Sequence, residues 1–231
     1  MASHCEHSNA KDGHPVSIAF NPVSDKTIGR LSLYRRILRD VQGIGRSHIF
    51  SHELAALAGC TSAQVRRDIM SLGSMGSPAK GYEIEDLIGG LGRILDADEV
   101  QKVALAGVGN LGRAILAYFA GRSRQFAIVA AFDADPAKVN RVIHGCRCYP
   151  AEQLRDVVQA EGIRVGIIAV PEDAAQSVAS AFCEAGVCGL MNFAPVPLRT
   201  PAGVYVENLD VMTALERIAY FARKTAETRG R

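Results

Sequence analysis

The chain has 231 residues, 48% of them hydrophobic and 22% charged, which is typical of a globular protein with one large or two small domains. No apolar run reaches the roughly 20 residues of a membrane-spanning helix, and the polar start has no signal-peptide core, so we expect a cytoplasmic protein without membrane contact. The net charge of +2 is unevenly placed, because nine basic and three acidic residues lie between Lys26 and Lys80, against 17 basic and 21 acidic residues elsewhere. A solvated basic face is common, but this concentration also suits nucleic acid.

The chain begins with a polar stretch that lacks periodicity, and residues 1–25 are predicted to form a flexible tail. Apolar residues then recur at helical spacing from the expected N-cap Thr27 until Gly43, which predicts an amphipathic first helix. A short extended piece is predicted at Ile49–Phe50. No metal site is expected, because the potential ligands of the tail are crowded together, which suits a tetrahedral cage poorly: His4, Cys5 and His7.

Two short helices joined by a glycine turn are predicted next, and together they form a helix-turn-helix pattern. The first covers 52–58, with Ser51 as its N-cap. The second begins at Thr61 and runs to Leu72, with Gln64 in the position that completes a capping box.

The second of these helices has an apolar side with Val65 and Ile69 and an opposite side with Ala63, Arg67 and Ser71. Arginine can contact guanine edges or phosphates, and small residues let a helix approach the bases. The outward side therefore fits a major groove, although an ordinary helical hairpin with a solvated basic face has the same pattern.

A wing and a further helix complete the first half of the chain. The glycines Gly76 and Gly81 resemble those of a two-stranded wing, and an amphipathic helix is predicted over 84–95. The acidic stretch at 96–98 marks a boundary. We therefore assign 26–95 to a winged helix-turn-helix DNA-binding domain.

Strands and helices alternate over 98–206, which predicts a doubly wound α/β domain with a parallel sheet. An edge strand is expected at 204–206. A broadly apolar helix from about 208 to 228 needs a cover, so 207–231 is treated as a C-terminal helix and tail. The predicted elements are strands at 102–106, 126–132, 163–170 and 188–193, a short extended piece at 146–149, and helices at 110–120, 136–143, 151–161 and 173–185.

A dinucleotide fingerprint opens this second domain, with the sequence Gly107-Val108-Gly109-Asn110-Leu111-Gly112 between a strand and a helix. Gly107 permits the tight turn, Gly109 lets the backbone approach a pyrophosphate, and Gly112 lets the helix pack closely. Asp133 follows the next strand, where a carboxylate accepts hydrogen bonds from ribose hydroxyls and repels a 2′-phosphate, which favours NAD over NADP. The alternative is a glycine turn with Asp133 capping the following helix.

The expected nicotinamide end of the cleft lacks an obvious acid or base. The strand ends offer Val170–Pro171 and 192–195, which are apolar or neutral, and His144 lies in a loop after the second crossover. We therefore predict that the domain binds a cofactor without turnover. The alternatives are a small NAD-dependent oxidoreductase with a helical accessory domain and a CoA-binding domain of the succinyl-CoA synthetase type, for whose phosphorylated histidine His144 is poorly placed.

Over residues 27–225 the chain resembles the Rex family of redox-sensing transcriptional repressors. The resemblance implies a homodimer that binds operator DNA through its winged helices, responds to the NADH/NAD ratio, releases DNA when NADH binds, and exchanges its C-terminal helices between subunits. It rests on ordered motifs at 31–38, 61–68, 73–82, 107–112, 132–136, 192–195 and 206–210.

The same resemblance implies roles for individual residues. The family's switch exchanges polar partners among an arginine, a tyrosine and an aspartate, which fall on Arg36, Tyr118 and Asp210. The chain departs from the family at Pro78–Ala79 in the wing and at Val211 in the exchanged helix. The predicted cofactor contacts are Gly107, Val108, Gly109, Asn110, Leu111, Gly112, Asp133, Val170, Pro171, Asn192 and Pro195. The predicted DNA contacts are Arg46, Ser51, Thr61, Ser62, Ala63, Gln64, Arg66, Arg67, Ser71, Lys80 and Tyr82.

Overall fold

The computed structural model describes residues 24–73, 80–121 and 125–229. The chain divides into two compact units, Met1–Asp96 and Ala97–Arg231, each with its own apolar core. In the described part of the chain no helix is long and apolar enough to cross a membrane.

Two predictions fall largely outside the described residues. The flexible tail predicted at 1–25 is described only from Ser24, and the predicted turn of the wing, with Gly76 and the departure at Pro78–Ala79, lies outside the described ranges.

The described residues of the first unit form four helices and a two-stranded antiparallel sheet around one core. Leu31, Leu38 and Val65 are among the side chains buried there. The strand register pairs Ile49 with Tyr82. The elements are α1 (Asp25–Gly43), β1 (His48–Ile49), α2 (Ser51–Ala58), α3 (Ser62–Met70), β2 (Tyr82–Glu83) and α4 (Ile84–Leu95).

Two predicted helix starts differ from those observed, and a third start has its predicted cap but not the capping box. Helix α1 begins earlier than predicted, because the side chain of Ser24 accepts a hydrogen bond from the backbone N–H of Thr27. Ser51 is the first residue of α2 rather than its cap. Thr61 does cap α3, but Gln64 does not complete a capping box, because its side-chain amide donates to Asp68 instead, at 2.8 Å.

Strand β2, at the end of the predicted wing, pairs with β1, which precedes α2 in the chain. The extended piece predicted at Ile49–Phe50 is therefore one strand of this sheet, shifted by one residue. A side chain at Gly81 would collide with the carbonyl group of Ile49, and its φ of +76° also favours glycine.

The described residues of the second unit form a seven-stranded sheet in the order β5-β6-β4-β3-β7-β8-β9. Every neighbouring pair is parallel except β5 and β6, and apolar clusters cover both faces, which confirms the predicted doubly wound sheet. The elements are β3 (Gln101–Ala106), α5 (Asn110–Phe119), β4 (Phe126–Asp133), β5 (Arg141–Ile143), β6 (Cys146–Pro150), α6 (Leu154–Glu161), β7 (Val165–Ile168), α7 (Glu172–Glu184), β8 (Gly189–Asn192), β9 (Tyr205–Asn208) and α8 (Val211–Arg229).

The helix predicted over 136–143 is wrong. The chain turns at this point, and β5 then pairs with β6 in an antiparallel hairpin. The side chain of Asp135 accepts a hydrogen bond from the N–H of Ala137, an arrangement that competes with helix formation. Asn140 and His144 have positive φ angles of 58° and 48°, which no α-helix contains.

Helix α8 exposes a large apolar surface in the single chain. The side chains of Val211, Met212, Leu215, Ile218 and Phe221 are each more than half exposed. A contiguous apolar face of this kind marks an interaction surface. The expected cover for this helix therefore does not come from the chain itself among the described residues.

Candidate functional site

A cleft of about 770 Å³ lies in the second unit where the strand order reverses. Strand β3 has β4 on one side and β7 on the other, so the crevice opens beyond the carboxyl ends of these strands. Ligands of doubly wound sheets bind at this kind of switch point. The cleft is lined by the glycine turn, the ends of β4 and β7 and the first half of α7, including Gly107, Gly109, Asp133, Lys138, Val170 and Pro171.

The three glycines of the turn meet different physical demands. Gly107 has a φ of +92°, and a side chain there would collide with the carbonyl oxygen of Ala169. A side chain at Gly112 would collide with the carbonyl oxygen of Gly107. Gly109 has nothing within 4 Å of the position a Cβ would take, and it lines the cleft. The turn therefore needs two glycines for its own packing and leaves open space at the third.

Asp133 ends strand β4 with its carboxylate fixed by the backbone. The N–H of Val108 donates to its Oδ2 at 2.7 Å, and the N–H of Asp135 donates to its Oδ1 at 2.9 Å. Burial works against ionisation, but these two N–H groups and the Lys138 ammonium hold the pKa of the carboxyl below its usual value. The interpretation of Asp133 as the cap of a helix at 136–143 is wrong, because that helix is absent.

Lys138 is a cleft residue that sequence reasoning missed. Its Nζ lies 3.4 and 3.3 Å from the two carboxylate oxygens of Asp133 and 3.5 Å from the carboxylate of Asp135. The sequence pattern placed Lys138 in a helix, whereas the observed turn brings it back towards the strand end. A basic residue shortly after the acidic one was the available signal.

The remaining predicted cofactor residues are distributed unevenly. Val108 is buried, and Asn110 and Leu111 lie exposed at the start of α5. Asn192 is fully buried and its side chain is occupied, because its amide donates to Val196 and Asn208 and its carbonyl accepts from Ala194. Asn192 therefore positions the loop after β8 and is not among the residues that line the cleft, and its contact with the cofactor stays a prediction.

Pro195 lies in a second recess of about 310 Å³ at the start of α8, together with Asp210 and Thr213. Asp210 caps this helix, since its carboxylate accepts from the N–H of Met212 at 2.8 Å and the hydroxyl of Thr213 at 2.6 Å. These hydrogen bonds, led by the one from the Thr213 hydroxyl, lower the pKa of Asp210.

The other two predicted switch residues are solvent-exposed. Arg36 lies on α1 of the first unit, and Tyr118 lies on α5 of the second. The exchange of partners among Arg36, Tyr118 and Asp210 stays a prediction.

The outward side of α3 carries the residues predicted to face DNA. Ala63, Arg67 and Ser71 are exposed, as are Thr61 and Lys80. Among the described residues the side chain of Arg67 makes no hydrogen bond or ion pair, which leaves its guanidinium available.

Other predicted DNA contacts are engaged within the protein. The guanidinium of Arg66 donates to the hydroxyl of Ser51 at 3.1 Å, which ties α3 to the start of α2. Arg46 donates to both carboxylate oxygens of Glu53, at 2.9 and 3.0 Å. Ser62 and Tyr82 are half-buried. Arg66 and Arg46 each retain further N–H donors that could contact DNA beside these partners.

A buried ion pair holds the inner side of α3, and sequence reasoning missed it. Asp68 is only 4% exposed and accepts two hydrogen bonds from the guanidinium of Arg30, at 2.7 and 2.9 Å. Tyr34 and Gln64 donate to the same carboxylate at 3.0 and 2.8 Å. Burial opposes ionisation most strongly, but these donors, led by Arg30, lower the pKa of Asp68. The signal was an acid beside Val65 on the apolar side of α3.

Two family models match separate parts of the chain. The model described as "Putative DNA-binding protein N-terminus" matches residues 22–69, and the one described as "CoA binding domain" matches residues 98–196.

Curated relatives match both units together. The redox-sensing transcriptional repressor Rex of Pelotomaculum thermopropionicum is 38% identical over 86% of this chain and 93% of its own length. Rex of Lactobacillus acidophilus is also 38% identical, over 84% of this chain and 92% of its own length.

Solved structures show the same overall match. RSP, described as a Rex-family repressor, superposes with a TM-score of 0.81 at 29% identity over 91% of this chain and 98% of its own. A structure of RSP in complex with β-NAD⁺ and operator DNA gives a TM-score of 0.81 at 30% identity, over 91% of this chain and 97% of its own. A third structure contains RSP with β-NADH and gives the same TM-score, over 90% of this chain and 98% of its own.

Proposed function

Because this chain belongs to the Rex family of redox-sensing transcriptional repressors, we propose that it binds operator DNA as a homodimer and leaves it when NADH enters the cleft. The observation that carries this proposal is the match to Rex repressors across both compact units. Solved complexes of the Rex-family repressor RSP contain β-NAD⁺ with operator DNA and β-NADH.

The cleft of the second unit is the proposed NAD(H) site, within the assigned domain 98–206. Open space at Gly109 fits the pyrophosphate, and the fixed carboxylate of Asp133 fits the hydroxyls of the adenosine ribose. NADH and NAD⁺ differ in the nicotinamide ring, so regulation requires that the two DNA-binding arrangements differ in affinity for that ring. Arg36, Tyr118 and Asp210 are proposed to transmit that difference.

The first unit is the proposed DNA-binding domain, within 26–95. Helix α3 would enter the major groove with its exposed side, and Arg67 would contact a guanine edge or a phosphate. The buried Asp68 network supports this function indirectly, because it fixes the opposite side of the same helix.

Helix α8, within 207–231, is the proposed site of subunit exchange. Its exposed apolar side chains need a partner surface, and a second copy of the chain supplies one without any other component. We also propose that the protein is cytoplasmic and binds its cofactor without turnover, since its family consists of transcription regulators. Steady-state oxidation of NADH with a carbonyl acceptor would favour the oxidoreductase alternative.

A titration of operator DNA by fluorescence anisotropy tests the proposal, with NAD⁺ and NADH added in turn to the protein on a palindromic site. We expect binding with NAD⁺ and release with NADH. The affinity for operator DNA should also fall with salt concentration. A plot of the logarithm of the binding constant against the logarithm of the salt concentration should have a slope of about −7 for roughly four phosphate contacts per subunit. The variant Gly109→Ala is the matched control, because it should keep the fold and DNA binding but lose the response to NADH. Absence of any DNA binding, or equal binding with both cofactors, contradicts the proposal.

A further inference from the structure

The surroundings of Asp133 contain a cation that competes with the ligand proposed for it. The Nζ atom of Lys138 lies within 3.4 Å of both oxygens of the Asp133 carboxylate, and both residues line the cleft. The Lys138 side chain is 27% exposed, so it can move without unpacking the core.

The carboxylate has a limited number of positions for donors. A carboxylate accepts about four hydrogen bonds in total. The backbone N–H groups of Val108 and Asp135 already take one on each oxygen, so the ammonium of Lys138 occupies the positions that remain. A ribose diol needs those same positions and must displace Lys138 at least partly.

A phosphate on the ribose 2′-oxygen meets a different environment. It is repelled by Asp133, but it is attracted by the ammonium of Lys138, which is the nearest described cation to that carboxylate. Asp135 lies 3.5 Å from the same ammonium and can hold it beside the ribose position after displacement. Lys138 therefore hinders the unphosphorylated ribose and offers a charge partner to the phosphorylated one.

We propose that Lys138 is a specificity-determining residue of the cleft, which weakens the preference for NADH over NADPH that Asp133 creates. The proposal rests on the proposed function of the cleft as a dinucleotide site. Discrimination between NADH and NADPH would then depend on the balance between Asp133 and Lys138 rather than on Asp133 alone. Removal of Lys138 should leave Asp133 in place, because two backbone N–H groups continue to hold its carboxylate.

Calorimetric titration of the full chain with NADH and with NADPH tests this proposal. Lys138→Met should raise the ratio of the NADPH to the NADH dissociation constant by about five- to tenfold, the size expected for the loss of a partly exposed charged hydrogen bond. Lys138→Arg keeps the charge and should leave the ratio at or below the parent value, because a guanidinium can bind a phosphate through two N–H groups.

A matched control is Lys102→Met, since Lys102 pairs with Glu161 at 2.8 Å and does not line the cleft. It should leave the ratio unchanged. In an Asp133→Asn background, Lys138→Met should still weaken NADPH binding, because the attraction of the phosphate is direct. Thermal melting of each variant checks the fold.

The outcomes separate two kinds of failure. If both dinucleotides bind the parent and Lys138→Met shifts both dissociation constants by the same factor, or lowers their ratio, the specificity role is overturned and the cleft assignment stands. If neither dinucleotide binds the parent, the proposed function fails and this inference fails with it.

Discussion

The two compact units each hold an ionised aspartate by several hydrogen bonds, but they expose it differently. Asp68 is buried and receives its hydrogen bonds from the side chains of Arg30, Tyr34 and Gln64. Asp133 receives two backbone N–H groups and lines an open cleft. The Asp68 carboxylate is fully engaged in the packing of α3, whereas the Asp133 carboxylate shares its remaining positions with the ammonium of Lys138 at the edge of the cleft. A fixed carboxylate thus serves stability in one unit and, in the proposed function, ligand recognition in the other.

The largest effect should come from the turn that supports the second aspartate. Gly112→Ala should lower the free energy of unfolding of the second unit by about 3 kcal/mol or more, because its methyl group would collide with the carbonyl of Gly107. Thermal or urea unfolding measures this change. Gly109→Ala is the matched control and should unfold like the parent while losing affinity for NADH. Parent-like stability of Gly112→Ala would show that the turn can relax.

Substitution of Asp68 should lower the free energy of unfolding almost as much as Gly112→Ala does. Asp68→Asn should lower the free energy of unfolding of the first unit by about 3 kcal/mol, because it leaves Arg30 without its anionic partner; the estimate is at the low end since Arg30 retains some solvent contact. Urea unfolding followed by circular dichroism measures it. Asp40→Asn, at an exposed position on α1, is the control and should have little effect.

The same substitution gives a pH signature with a definite sign. The pKa of Asp68 is lowered in the folded state, so its contribution is complete above the unfolded pKa of about 3.9 and is lost as the pH falls through the lower folded pKa. The parent should therefore lose stability in acid more steeply than Asp68→Asn. Parallel stability profiles for the two proteins between pH 5 and 2 would contradict the ionised network.

On the outer side of the same helix, the effect should appear in binding rather than in folding. Arg67→Ala should weaken operator binding by roughly 1 to 3 kcal/mol and relax discrimination at one base pair if it contacts a guanine. Its free energy of unfolding should match that of the parent, because the side chain of Arg67 is exposed and makes no hydrogen bond or ion pair among the described residues. Arg39→Ala, at an exposed position on α1, serves as the control in the same anisotropy titration. Equal losses of operator affinity for Arg67→Ala and Arg39→Ala would indicate that the DNA does not bind specifically at α3.

The smallest effect concerns the coupling between the units. Asp210→Ala and Tyr118→Phe should each reduce the NADH-induced loss of operator affinity by several-fold, or about 1 kcal/mol, with little change in NADH binding to the free protein. The double variant should be non-additive if both residues act on one element.

Asp210→Ser separates coupling from helix capping, because serine caps a helix about as well as aspartate but carries no charge. Asp210→Ser should reduce the NADH-induced loss of operator affinity as Asp210→Ala does. A parent-like response in Asp210→Ser would mean that Asp210 acts only as the cap of α8.

The difference between Asp133 and Asp68 also explains which parts of the site could be predicted from the sequence. Asp133 and the glycine turn lie in one local strand-turn-helix pattern, so their positions follow from short-range spacing. The Asp68 network joins residues 38 positions apart, and no local pattern pairs Arg30 with Asp68. The helix predicted at 136–143 failed because the side chain of Asp135 and the left-handed Asn140 favour turns, and Lys138 was misplaced with it.

Prediction from the sequence had a similar limit for the exposed side of α3, which is proposed to face DNA. Periodicity placed Arg67 outward, as observed, but it could not show that Arg66 and Arg46 would bind Ser51 and Glu53. Such pairings depend on how α2 and α3 cross, which is a tertiary property.

The exposed apolar face of α8 affects when, during synthesis, the chain can bind unrelated proteins. Helix α8 is the last described element of the second unit, and at ribosomal speed its 19 residues take about one to four seconds to make. The first unit and the sheet of the second are therefore made before this face, and the interval in which the face can capture unrelated proteins opens only after them. A neighbouring chain made from the same messenger RNA would close that interval soonest.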